Sequence, residues 1–130
     1  AIAARVFAAP GERVWLEGEL WPRVGERVAA WREEVAGRES PPAAAVVETP
    51  LMFEAGMDAI YDATIAVVAD EEVRAARAAS RDHVAAGERA ARQLSQEEKS
   101  RRATFVVDNS ATLDDLERQL SDVLARLTSS

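Results

Sequence analysis

The chain has 130 residues, 48% of them hydrophobic, and 16 Lys or Arg against 23 Asp or Glu, a net charge of −7. With no cysteine and a single histidine, His83, it excludes disulfides, thiolate chemistry and a multi-histidine metal centre. Its acidity argues against a nucleic-acid partner, whose phosphates select basic faces, and no apolar run approaches the ~20 residues that span a bilayer. The length suits one domain or part of one. Residues 1–9 show no basic leader, from which a cytoplasmic protein is expected.

Residues 1–37 read as helical. Val14, Trp15, Leu16, Leu20 and Trp21 make a broad apolar face, and Pro22 suits the first position of a new helix, where its missing N–H costs nothing. Val24, Val28, Trp31 and Val35 then recur at helical spacing, and Gly37 is placed to end the helix. Tryptophans at such positions are more often core than a ligand platform. Arg38–Pro42 is a loop, since consecutive prolines cannot continue a helix. Three short apolar runs follow: Ala43–Val47, Thr64–Ala69 and Thr104–Val107. None alternates and none is long enough for a helix, which suits strands covered on both faces in a parallel sheet.

Each run leads into a turn and a helical segment. Asp70 can cap a helix from Glu71; Ser95-Gln96-Glu97-Glu98 spells a capping box; Thr112-Leu113-Asp114-Asp115 spells one with Asp for Glu. Leu113, Leu116, Leu120, Val123, Leu124 and Leu127 form the stripe of the last helix. Strand–helix alternation predicts an α/β fold with a small parallel sheet of about three strands.

Three constellations bear on chemistry. Residues 74–102 hold eight basic side chains against four acidic ones, a net +4 island in an acidic chain. Within it Arg74, Arg77 and Arg81 share a helical face, and Arg89 and Arg92 follow. Arginine forks suit phosphate oxygens; a solvated face with local ion pairs is the plainer alternative. Glu48 and Glu54 stand in the run from Glu48 to Gly56, after an apolar segment, where open α/β sheets bind ligands. They are candidates for metal-water or substrate contacts, or Glu48 simply closes a turn. Asp108-Asn109-Ser110-Ala111 follows the last apolar run, and by itself a plain turn feeding the Thr112 cap is the preferred reading. No G-x-x-x-x-G-K-[ST] phosphate loop is present.

In order along the chain these pieces resemble dephospho-CoA kinase. Val46–Glu54 matches the family's strand leading into Pro-Leu-Leu-Phe-Glu, and Tyr61-Asp62 its aromatic-Asp pair. Arg77, Arg81 and Asp82, then Arg89, Gln93, Glu97, Glu98 and Lys99, match its lid, and Asp108-Asn109-Ser110-Ala111 its Asp-Asn-Ser-Gly. Trp21-Pro22 stands where the family has His-Pro.

The resemblance implies a P-loop-kinase-like parallel sheet from which the central P-loop strand is absent. It implies a helical acceptor region over residues 1–44, an α/β core over 45–72 and 103–130, and a helical lid over 73–102. By the same resemblance Arg77, Arg81 and Arg89 clamp the phosphates of ATP carried with Mg²⁺, and Asn109 lies near the adenine. Pro50, Leu51, Phe53 and Glu54 contact dephospho-CoA, and no protein metal site is implied. The chain alone is then expected to lack kinase activity, and open sheet edges invite self-association. A non-catalytic kinase-like module that binds a nucleotide or a partner is the competing expectation.

Overall fold

The computed structural model describes residues 10–79 and 93–129. The chain divides into two compact units, Ala1–Ala45 and Val46–Ser130.

Among the described residues the first unit holds the helix α1 (Pro10–Ala36), with Pro22 inside it. The helix therefore does not restart at Pro22 as its residue type suggests; the backbone runs through. An interior proline removes the bond to the carbonyl four residues back and costs about 3 kcal/mol. Beside this break Arg23 donates to both the carbonyl and the carboxylate of Glu19. Arg13 and Glu17 pair one turn earlier. The exposed Arg23–Glu19 pair returns well under about 1 kcal/mol, so Pro22 marks the weakest turn of α1. The helix ends where Gly37 N–H closes on Glu33 O at 3.0 Å. Trp15 is 67% exposed and Trp21 is exposed as well, so neither is the core residue its spacing implies.

The second unit carries the sheet. Its described residues hold a 3₁₀ turn (Asp58–Ile60), β1 (Ile65–Val68), α2 (Glu71–Ala79), α3 (Gln96–Arg102), β2 (Phe105–Asp108) and α4 (Leu113–Thr128). β1 and β2 pair in parallel, with Ile65 opposite Phe105 and Val68 opposite Asp108. Both strands arise from β-branched apolar runs, as their composition requires.

The third expected strand, over residues 43–47, does not form. Residues 44–49 have no regular structure, and Val46 is 78% exposed. An apolar run supplies propensity but not a ladder, and a strand exists only where its N–H and C=O groups find a partner. Among the described residues the sheet has two strands, flanked by helices.

Packing within this sheet is one-sided strand by strand. α3 packs on β1 and α4 on β2. Paired residues of parallel strands share a face, so Val67 and Val107 lie on one side, Ala66 and Val106 on the other. Val107 is 0% exposed whereas Val67 beside it is 58% exposed. Arg126 of α4 stands 4.8 Å over the Phe105 ring on the covered side. Each strand thus buries one face and leaves the other open. Two capping boxes open α3 and α4: Ser95 with Glu98, and Thr112 with Asp115, each satisfying donors reciprocally. Among the described residues no helix is long and apolar enough to cross a membrane.

Candidate functional site

Both parallel strands end at the same edge of the sheet, and the turns that follow them are cross-linked. Asn109 N–H donates to Val68 O at 2.8 Å, and Asp70 N–H to Ser110 Oγ at 2.9 Å. Asp108 Oδ1 accepts from Ser110 N at 2.7 Å. The Ser110 hydroxyl first, and then this backbone bond, hold the Asp108 carboxyl below the ordinary range. Arg77, in the last turn of α2, reaches across and donates to Asn109 O at 2.7 Å.

Two glutamines fasten these strand ends. Gln96 accepts from Ala69 N at 2.8 Å and donates to Ala69 O at 2.9 Å. Gln119 of α4 does the same at Asp108, at 2.9 and 2.8 Å. A side-chain amide has one donor group and one acceptor, so it can replace a missing strand neighbour at one residue. Neither glutamine is legible as functional in the sequence. Gln96 sits inside a capping-box pattern and Gln119 on the polar side of an amphipathic helix, and only the fold brings them to the strand ends.

The run after Pro50 is a helical turn closed by Gly56. Ala55 N–H bonds Leu51 O, Gly56 N–H bonds Phe53 O and Met57 N–H bonds Met52 O. With Gly56 at φ +66° this is a Schellman closure, and the left-handed residue is the glycine. Phe53 is buried beneath Arg102, whose guanidinium lies 5.0 Å from the ring. Arg102 also donates to Phe53 O at 3.1 Å and to both oxygens of Asp58 at 3.0 and 3.2 Å. Glu54 Oε1 accepts from Leu94 N at 2.7 Å and pairs with Lys99 at 3.2 Å. Burial alone would raise the Glu54 carboxyl; the Leu94 and Glu54 backbone donors and Lys99 outweigh it and hold it below the usual value.

The basic island is thereby narrowed. Lys99 and Arg102 turn to carboxylates outside it, Glu54 and Asp58. Arg74 pairs with Glu71 and Arg101 with Glu97. Arg77 lies at the strand ends beside Asn109, whereas Arg81, Arg89 and Arg92 lie outside the described residues. Pro50 and Leu51 head the turn, Pro50 exposed and Leu51 half-buried. Glu48 is exposed and follows no strand. Among the described residues no three His, Cys, Asp or Glu side chains cluster to hold a metal ion.

A family model described as dephospho-CoA kinase matches residues 1–115. The chain belongs to the dephospho-CoA kinase family. It is 41% identical over 129 residues to the dephospho-CoA kinase of Deinococcus radiodurans, covering 97% of this chain and 61% of that one. It is 39% identical over 125 residues to that of Thermosynechococcus vestitus, covering 94% and 59%. The crystal structure of TT1252 from Thermus thermophilus superposes with a TM-score of 0.74 at 37% identity, over 98% of this chain and 65% of that one. The chain thus spans about three-fifths of the length of these curated family members. The matched residues include the turn after Pro50 and the strand-end turns.

Proposed function

We propose that the chain is the acceptor-binding and lid-bearing portion of a dephospho-CoA kinase. The whole protein transfers the γ-phosphoryl of ATP to the ribose 3′-hydroxyl of dephospho-CoA. The observation that carries this reading is the family match over residues 1–115 joined to one crevice: the ends of β1 and β2, cross-linked by Asp70–Ser110 and Asn109–Val68, with Arg77 beside them. Open parallel sheets receive ligands at this edge.

On this reading Asn109 lies on the nucleotide side. Arg77, with Arg81 and Arg89 by their places in the lid motif, neutralises phosphate oxygens, which is most of what phosphoryl transfer asks of a protein. Pro50 and Leu51 face the acceptor, and Phe53 supports the turn from beneath. Mg²⁺ enters with the nucleotide, as is usual where phosphates supply its ligands. The same reading carries a cytoplasmic location with it. Domains follow as an acceptor region over 1–44, core over 45–72 and 103–130, and lid over 73–102. The exposed Val67 and Val106 support self-association of the isolated chain through its open sheet.

The sequence contains no glycine-rich phosphate loop, so the 130 residues alone are expected to show no turnover. Separate calorimetric titrations of ATP and dephospho-CoA, with a coupled turnover assay, test this. Binding of dephospho-CoA without turnover agrees with the proposal. Turnover by the 130 residues at the roughly 1–100 per second of ordinary kinases contradicts the division of labour, and failure to bind either ligand contradicts the reading itself.

A further inference from the structure

We propose that Glu54 is a positioning residue that mounts the acceptor-side turn on α3, with Lys99 as its partner; the inference rests on the kinase reading above. Glu54 and Lys99 side chains are 15% and 21% exposed. Glu54 Oε1 already serves two donors, Leu94 N and Lys99 Nζ. Its other oxygen, Oε2, is buried and has no hydrogen-bond partner among the described residues. Neither oxygen is presented to a ligand, which separates Glu54 from a direct substrate contact.

Lys99 does a second thing: its ammonium donates to Pro50 O at 3.1 Å. One cation therefore holds both Pro50 and Glu54. Arg102 lies three residues further on the same helical face, and it holds Phe53 O and Asp58. The other end of α3 is fixed to the sheet, because Gln96 takes both backbone groups of Ala69. Asp70, the next residue, bonds Ser110. A helix of seven residues is thus the common mount of the acceptor-side turn and of the strand ends.

The test uses the full-length gene product and measures kcat and KM for ATP and for dephospho-CoA separately. Lys99→Met and Glu54→Gln are each expected to raise KM for dephospho-CoA about tenfold, the size of one lost charge-assisted hydrogen bond. KM for ATP stays within about twofold. The double variant is no worse than Lys99→Met alone, because that substitution already removes the Glu54–Lys99 tie. Lys99→Arg, which keeps charge and donors, restores most of the loss and guards against a variant that merely folds poorly. A rise with Glu54→Gln but not with Lys99→Met overturns the proposal in favour of direct substrate contact. A drop in Tm with both KM values unchanged overturns it in favour of a purely structural tie. Wild-type protein that does not phosphorylate dephospho-CoA overturns the kinase reading, and the inference with it, before any variant is compared.

Discussion

Thr64 and Thr104 exchange hydrogen bonds where the two strands begin: the N–H of each donates to the Oγ1 of the other at 3.1 Å. The hydroxyl oxygens are 3.4 Å apart, and Phe105 N–H closes on Thr64 O at 3.0 Å. With only two strands described, this clasp starts the register that pairs Ile65 with Phe105.

The clasp is asymmetric in burial, which yields an ordering. Thr64 is buried and Thr104 exposed. Thr104→Val leaves unpaired the N–H of the buried residue, whereas Thr64→Val leaves unpaired that of the exposed one. An unsatisfied buried donor costs about 1–3 kcal/mol. Urea unfolding is expected to show Thr104→Val as the more destabilising substitution, and the reverse order speaks against the clasp.

Gln119 binds Asp108 through one donor and one acceptor. Gln119→Glu keeps the acceptor but sets a carboxylate against the Asp108 carbonyl. The folded state then disfavours the charged form, so the new group's folded pKa lies above its unfolded value. The contribution is lost as pH rises through that folded pKa. Relative to wild type, the variant should be weakest at neutral pH and recover towards acid, where a protonated carboxyl again donates. Paired thermal melts across that range check this.

Glu54, Glu98, Asp108 and Asp115 all titrate below their ordinary values in the folded chain. Glu54 does so because backbone donors and Lys99 overcome its burial; Glu98 is held by Ser95, Asp108 by Ser110 and Asp115 by Thr112. Lowered folded values mean stability that is present above the unfolded pKa and lost as pH falls through the folded one. Stability should therefore be flat near neutrality and decline as pH falls from the unfolded carboxylate values through the lowered folded ones. Asp115→Asn and Glu98→Gln should each flatten that decline in an acid titration followed by circular dichroism.

Gly56, at φ +66°, closes the turn after Pro50. No heavy atom would crowd an added Cβ there, so the cost of Gly56→Ala is conformational alone, roughly 1–2 kcal/mol. Chemical denaturation should show a loss of that size; a neutral result would mean the turn can close another way.

Pro22 interrupts the hydrogen-bond ladder of α1 at an exposed position. Pro22→Ala should raise helical content and stabilise α1 by about 3 kcal/mol at most. Far-UV circular dichroism during thermal unfolding measures it.

The sequence by itself determined the local structure wherever one segment carries its own reasons. β1 and β2 follow from β-branched runs, and both capping boxes form where Ser95 and Thr112 predict them. The ordered motifs from Val46 to Ala111 carried the family. What needed a partner was not legible. Residues 43–47 have the composition of a strand but no ladder among the described residues, and Trp15 has the spacing of a core residue but is 67% exposed. The largest revision is electrostatic. Lys99 and Arg102 read as part of an anion site, yet the fold sets them against Glu54 and Asp58, more than forty positions earlier. Charge in a sequence sets how many ions there are; only tertiary structure decides which pairs come within 4 Å and so which charges remain to meet a ligand.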